Sequence, residues 1–125
     1  MEMFLYKPAE DRASDKVEDV VKGLSDGSRV EVFGRIDNLK ERLKKPVDGD
    51  GLAVLIAPQK DDLLDLVSIN YLLEKVRNVL VIADRSEEAV SMAHRLKPRY
   101  LAYMDSELDT LSAVIGKMTG RGNGG

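Results

Sequence analysis

Leu52–Ala57 has the sequence LAVLIA, the most uniformly apolar run in this 125-residue chain, and residues 79–83 have the similar sequence VLVIA. Short runs without a polar residue are typical of strands that are buried on both faces, as in the centre of a parallel sheet. A strand buried on both faces needs a helical layer on each side. These two runs therefore predict an α/β protein.

Three further strands are predicted outside these two runs, at residues 3–6, 30–33 and 100–104. The strand at 30–33 alternates and carries Glu31, which gives it a partly wet face and favours a position at the edge of the sheet. Each strand is followed by apolar residues at helical spacing. The predicted helices cover residues 13–24, 36–43, 60–76, 86–96 and 108–118.

Strict alternation of strands and helices predicts a doubly wound, three-layer fold with a five-stranded parallel sheet and right-handed crossovers. The flavodoxin-like strand order 2-1-3-4-5 places the second strand at an edge, the position that Glu31 favours. We assign residues 1–120 to one domain. The segment 46–51 is interpreted as a loop, and the glycine-rich segment 121–125 as a loose tail.

Composition excludes several classes of function. Hydrophobic residues make up 43% and charged residues 33%, as in ordinary globular proteins, and the absence of cysteine excludes disulfides, thiolate catalysis and cysteine-based metal sites. The net charge of −3 predicts no nucleic-acid partner. No apolar run approaches the length of about 20 residues that spans a membrane, so we expect a cytoplasmic protein. No phosphate-binding glycine motif occurs, and we predict no cofactor.

The five repeats and the closing helix resemble, over nearly the whole chain, the receiver domains of response regulators in two-component signal transduction. The resemblance is one of architecture. In that family an acidic pair ends the first strand and holds Mg²⁺, and an aspartate ending the third strand accepts a phosphoryl group. A serine or threonine ends the fourth strand and a lysine ends the fifth, and both reposition on the new phosphate.

None of these hallmarks occurs at the corresponding positions of this chain. Those positions carry Lys7 and Pro8 on the first strand, Ala57 or Pro58 on the third, Ala83 on the fourth, and Tyr103 or Met104 on the fifth. No carboxylate occurs anywhere in residues 52–58, so no shift of the alignment supplies an acceptor. The resemblance therefore implies a degenerate pseudo-receiver that is not an enzyme.

The expected carboxyl edge of the sheet nevertheless carries charged groups. They are Glu10, Asp11, Lys60, Asp61, Asp84 and Asp105. An acidic rim of this kind could bind a divalent cation. The alternative is helix capping, because Asp84 and the pair Asp105-Ser106 precede predicted helices and can accept from unpaired backbone N–H groups. We favour capping, and we assign no residue to a metal site.

The predicted third helix carries two apolar stripes. Its first stripe contains Leu66, Ile69, Leu72, Leu73 and Val76, and its second contains Leu63, Leu64, Val67 and Tyr71. At 100° per residue the second stripe is centred well over 90° from the first, so only one of them can pack on the sheet. The second stripe is either covered by neighbouring helices and loops or exposed as a surface for a protein partner or a homodimer.

These observations predict a pseudo-receiver, a non-catalytic signalling or scaffolding domain of the bacterial cytoplasm that acts through protein–protein contacts. The alternative is a small flavodoxin-like domain that binds a ligand or metal, or acts as an enzyme, at the acidic rim. A third interpretation is a fragment of a larger regulator, in which the segment 121–125 begins a linker.

Overall fold

A computed structural model describes residues 2–24, 29–47, 51–104 and 108–119. Part of the predicted loop 46–51, the segment 121–125 and Asp105 lie outside the described residues. Within them the chain forms five strands and six helices. In chain order these are β1 (Glu2–Tyr6), α1 (Arg12–Leu24), β2 (Arg29–Phe33), α2 (Ile36–Leu43), β3 (Leu52–Ala57), α3 (Lys60–Ser68), α4 (Asn70–Leu73), β4 (Arg77–Ile82), α5 (Glu87–Arg95), β5 (Tyr100–Tyr103) and α6 (Leu108–Met118).

All strand pairs are parallel, and the sheet has the order β2-β1-β3-β4-β5. This is the flavodoxin-like order that the sequence predicts, so the predicted fold class is confirmed. One register line runs across four strands, from Leu5 through Val54 and Val79 to Tyr100. The strands therefore end close together at one edge of the sheet.

The sheet separates two hydrophobic cores. Side chains of α1 and α6, such as Val17 and Ile115, pack on one face, and side chains of α2, α3, α4 and α5 pack on the other. All six residues of β3 are buried, and they contribute to the two cores in alternation. The run LAVLIA has no polar residue because neither face of this strand meets water.

The strand β2 lies at an edge, where Val32 is 43% exposed. Glu31 on this strand is paired with the Arg42 side chain of α2, whose Nε lies 3.2 Å from the Glu31 Oε1. The same guanidinium pairs with Glu2 and lies 5.0 Å above the ring of Phe4. Arg42 thus holds α2 against the first two strands, while its aliphatic stem covers apolar surface.

The predicted single helix over residues 60–76 is wrong. Two helices, α3 and α4, occupy the segment, and Ile69 separates them with φ −111° and ψ 19°. The Ser68 hydroxyl donates to the carbonyl of Asp65, a local bond that competes with helix continuation. The Asn70 side chain donates to the carbonyl of Arg95 on the neighbouring helix. This break buries Ile69 in the core at 2% exposure.

In the described parts of the chain, no helix has both the length and the apolar character required to cross a membrane.

Candidate functional site

The carboxyl edge of the sheet is the place where open α/β folds bind their ligands. Ala57 at the end of β3 is paired with Ile82 at the end of β4, and Ile82 is paired with Tyr103 at the end of β5. The residue that follows each strand therefore reaches the same edge. All the receiver-like positions of the sequence analysis lie along this edge.

A cleft of about 310 Å³ opens at this edge. Its walls come from the loop before α1, the start of α1 and the ends of three strands, and they are formed by Asp11, Ala13, Pro58, Ala83 and Met104. Four of these five side chains are apolar. Ala57, which precedes Pro58 in the chain, is 1% exposed. The site that would hold a phosphoryl acceptor in a receiver is therefore a small apolar cleft.

Tyr103 is partly buried and does not line this cleft. Its ring lies under the guanidinium of Arg85, with 4.0 Å between the Arg85 Cζ and the ring centroid. This stacking is a cation–π contact that joins the end of β5 to the β4–α5 loop. The residue at the position of the receiver's lysine is therefore Tyr103, and its ring packs against Arg85. Pro8, in the β1–α1 loop, is partly buried.

Lys7, at this edge, is surrounded by three carboxylates. Its side chain is 6% exposed, and its Nζ lies 2.5 Å from Asp15 Oδ1, 2.8 Å from Glu18 Oε1 and 3.3 Å from Glu10 Oε2. Lys22 pairs with the second oxygen of Glu18 at 2.7 Å. Hydrogen bonds to Asp15 and then to Glu18 raise the pKa of Lys7 above its ordinary value.

This cluster, which we call the Lys7 cluster (Lys7, Glu10, Asp15, Glu18 and Lys22), fastens the end of β1 to α1. Backbone hydrogen bonding continues past the strand, since the Lys7 N–H donates to the carbonyl of Phe33 at 2.8 Å. The ammonium group of Lys7 thus forms ion pairs with the carboxylates near the position of the receiver's acidic pair. The sequence analysis missed this cluster. Its only local signal was the helical spacing of Glu18 and Lys22.

The carboxylates of the predicted acidic rim cap helices or form turns. The Asp11 Oδ1 accepts from the N–H of Ser14 at 2.7 Å and so caps α1. The Asp84 Oδ1 accepts from the N–H of Ser86 at 2.9 Å, and this bond is the main reason that its pKa is lowered. Ser86 itself caps α5, because its Oγ accepts from the N–H of Ala89.

The remaining rim residues are dispersed. Lys60 pairs with Glu88 at 2.9 Å, and this contact raises the pKa of Lys60. Asp61 is exposed in the first turn of α3, where the helix dipole favours a negative charge. Glu10 belongs to the Lys7 cluster. Across the segments that the structure describes, no group of three or more His, Cys, Asp or Glu residues is arranged to hold a metal ion.

The second stripe of the predicted third helix divides into buried and exposed members. Leu63 is fully buried and Val67 is partly buried against the same core, so Leu63 cannot belong to a surface. Leu64 is 52% and Tyr71 is 61% exposed. Leu63 lies three positions before Leu66 and shares its buried face on α3, whereas the stripe that excluded Leu63 was drawn mostly from residues at or after the break between α3 and α4.

No protein-family model matches this chain, and no curated protein sequence matches it. The fold and the chemistry of the carboxyl edge are therefore the observations from which a function can be inferred.

Proposed function

We propose that this protein is a pseudo-receiver, a non-catalytic signalling or scaffolding domain of the bacterial cytoplasm that works through contacts with other proteins. The observation that carries the proposal is the apolar cleft between the strand ends. Pro58 and Ala83 line it, at the ends of β3 and β4 in a sheet of flavodoxin-like order. A flavodoxin-like sheet with an apolar cleft at this edge supports a receiver-like domain without the phosphorylation chemistry.

Chemistry at the cleft supports the absence of phosphoryl transfer. Phosphorylation of a receiver needs a carboxylate acceptor at the end of β3 and a magnesium ion held beside it. The side chains of Ala57 and Pro58 offer no oxygen. At the magnesium position, the ammonium group of Lys7 lies among carboxylates and would repel a divalent cation.

Acetyl phosphate with Mg²⁺ tests this part of the proposal. We expect the intact mass of the protein to stay unchanged under conditions that phosphorylate a catalytically competent receiver treated in parallel. Peptide mapping would locate any adduct. A stable adduct of one phosphoryl group within residues 52–58, or on Asp11 beside the cleft, would refute the pseudo-receiver proposal.

The acidic rim gives weaker support to the alternative, a small ligand- or metal-binding domain or an enzyme. Asp11 and Asp84 accept backbone hydrogen bonds at helix starts and turns, and these bonds occupy oxygens that a cation would need. Titration with Mn²⁺, followed by paramagnetic broadening of the amide signals, separates the two proposals. Saturable broadening centred on Asp11 and Asp84 would favour the rim.

The proposed contact surface consists of Leu64 and Tyr71. Burying a large apolar side chain completely stabilises a complex by about 1.5–3 kcal/mol. Leu64 and Tyr71 are the large apolar side chains of α3 and α4 that are more than half exposed, so a partner would gain most by covering them. The exposed carboxylates of Asp61, Asp65 and Glu74 surround this segment. Like charges would oppose a symmetric contact of α3 with itself, which favours a partner with basic residues over a homodimer.

Sedimentation velocity across a concentration series, alone and with proteins recovered by affinity capture, tests the surface. The variant is Leu64→Lys with Tyr71→Glu, and we expect it to lose the association of the wild type. The control is Asn38→Lys with Thr110→Glu, which makes the same charge changes at exposed positions of α2 and α6. Equal association of the wild type and the Leu64 variant would exclude this surface, as would a monomeric wild type with no partner.

A further inference from the structure

A second cleft lies at the opposite, amino edge of the sheet and has a different character. Its volume is also about 310 Å³. It lies between α4, the start of β4 and the segment that follows α5. The lining residues are Gly51, Asn70, Leu73, Glu74, Lys75, Val76, Arg77, Asn78, Leu96, Lys97 and Arg99. We call it the basic cleft, because four of these residues are cationic and one is acidic.

Most of this positive charge has no counterpart in the described part of the protein. Lys75 is used structurally, since its ammonium group donates to the carbonyls of Leu43 and Lys45. Arg77, Lys97 and Arg99 form no ion pair within the described residues. The chain as a whole has a net charge of −3, so this concentration of positive charge runs against its average.

Helix dipoles explain only part of the positive charge in the basic cleft. Lys97 follows the carboxyl end of α5, where a cation is favoured. Arg77 begins β4, and Arg99 precedes β5 and is fixed by a backbone bond from its N–H to the carbonyl of Asn78 at 2.8 Å. No helix end accounts for these two arginines.

Asn78 supplies an independent observation. Its side chain belongs to a residue that is 5% exposed, and its Oδ1 accepts no hydrogen bond from any described residue. The Nε of Arg77 is also buried and unpartnered within that part of the structure, but Arg77 pairs with Leu52 and Asn78 with Ala53, so the two side chains lie on opposite faces of the sheet. A buried polar atom without a partner is destabilising and uncommon, so the Asn78 oxygen at this cleft indicates that something outside the described protein atoms satisfies it.

The unpaired cations and the unpartnered Asn78 oxygen would each bind a different chemical group. Guanidinium and ammonium groups favour a phosphate, which arginine binds through paired hydrogen bonds. The Asn78 oxygen needs a donor, such as a hydroxyl group. We propose that the basic cleft binds a small phosphate ester that carries a hydroxyl group next to its phosphate. Lys97 and Arg99 hold the phosphate, and the hydroxyl donates to Asn78.

This inference is independent of the pseudo-receiver proposal, because the basic cleft lies at the edge opposite the strand ends that carry the receiver-like positions. Each of the two can fail without the other. A ligand here would join α4, which carries Tyr71 of the proposed contact surface, to the end of α5. Binding at the basic cleft would therefore stabilise the segment from which the proposed partner contact projects.

The test is a titration followed by the amide signals of the isotope-labelled full chain, at constant ionic strength. Three probes separate the parts of the proposal. Glycerol 3-phosphate supplies both the phosphate and the hydroxyl group, inorganic phosphate supplies the anion alone, and glycerol supplies the hydroxyl alone. We expect saturable shifts at residues 74–78 and 96–99 with glycerol 3-phosphate, about tenfold weaker binding of inorganic phosphate, and no binding of glycerol.

Variants assign the effect to the basic cleft. Lys97→Gln with Arg99→Gln changes two exposed side chains and should weaken binding of glycerol 3-phosphate at least about tenfold. The control is Arg12→Gln with Lys16→Gln, an equal loss of charge at exposed positions of α1, which should bind as the wild type does. Asn78→Leu should weaken binding without lowering the urea midpoint of unfolding, because it removes an unpartnered oxygen.

Five outcomes would overturn the proposal, and four of them concern the titration with glycerol 3-phosphate. They are the absence of saturable shifts in the wild type, shifts centred elsewhere, equal weakening in the α1 control, and unchanged binding in Asn78→Leu. Equally tight binding of inorganic phosphate would also overturn it, because the hydroxyl group would then contribute nothing.

Discussion

Gly51 lies immediately before β3, at a point where three chain segments approach one another. A Cβ placed on it would lie 2.8 Å from the Val47 Cγ1, 2.9 Å from the Val76 Cγ1 and 3.5 Å from the Phe4 Cε2. Carbon atoms in van der Waals contact are separated by about 3.5–4.0 Å. Gly51→Ala therefore forces two branched, stiff side chains to move, one of which, Val76, is buried.

The expected magnitude follows from two opposing terms. Overpacking by one methyl group costs about 1–3 kcal/mol. The loss of backbone freedom in the unfolded state returns about 0.4–1 kcal/mol. We expect Gly51→Ala to lower the free energy of unfolding by about 1–2 kcal/mol. Gly23→Ala is the matched control, because its Cβ meets nothing within 4 Å at an exposed position of α1. It should raise the free energy by up to about 1 kcal/mol.

Equilibrium unfolding in urea measures both variants, with the slope of the transition checked for equality so that midpoints can be compared. The two substitutions make the same chemical change, and their difference of about 2 kcal/mol isolates the close approach at Gly51. If Gly51→Ala is as stable as Gly23→Ala, the segments around Gly51 do not pack as closely as the distances indicate.

Three further predictions concern α5, the Lys7 cluster and α3. Ser86→Ala should lower the free energy of unfolding by about 1 kcal/mol, since the Oγ of Ser86 caps α5, and Ser86→Asp should restore it. Hydrogen bonds from Lys22 and then Lys7 hold the pKa of Glu18 below its ordinary value of 4.5. The stability that this provides is present above the unfolded-state pKa and is lost as pH falls through the folded-state pKa, so Glu18→Gln should flatten the acid limb of a stability–pH curve; an unchanged limb would contradict this. Leu63→Ala should cost about 2–5 kcal/mol and Leu64→Ala less than about 0.5 kcal/mol in urea unfolding, and similar losses would show that the two residues are not buried differently.

Much of the fold could be predicted because burial leaves a direct trace in local sequence. A strand between two helical layers, such as β3, can carry no polar side chain on either face, and the edge strand β2 is marked by Glu31. The sequence also shows directly that Ala57 and Pro58 at the end of β3 have no side-chain oxygen that could accept a phosphoryl group. The pseudo-receiver function and the contact surface stay predictions, because neither the sequence nor the fold tests them.

Tertiary structure decided the features that depend on contacts between distant segments. Periodicity along residues 60–76 indicated one helix, but packing of Ile69 into the core and the bond from Asn70 to Arg95 accompany its division into two. The first of these helices buries Leu63 and exposes Leu64, and the exposed Tyr71 lies on the second. The periodicity of apolar residues shows which face of a segment is buried. It carries no information about which distant residues that face contacts.

The two charged sites of the protein illustrate the same limit. Lys7 meets Glu18, eleven positions away, because β1 ends beneath α1. The basic cleft brings the start of β4 together with the segment after α5, and the sequence does not indicate that these two stretches meet. The sequence alone determined the sheet and its order, since both follow from burial along single strands. Only the packing of helices on that sheet decided where the charges gather, because electrostatic contacts are made in space between segments that the chain keeps apart.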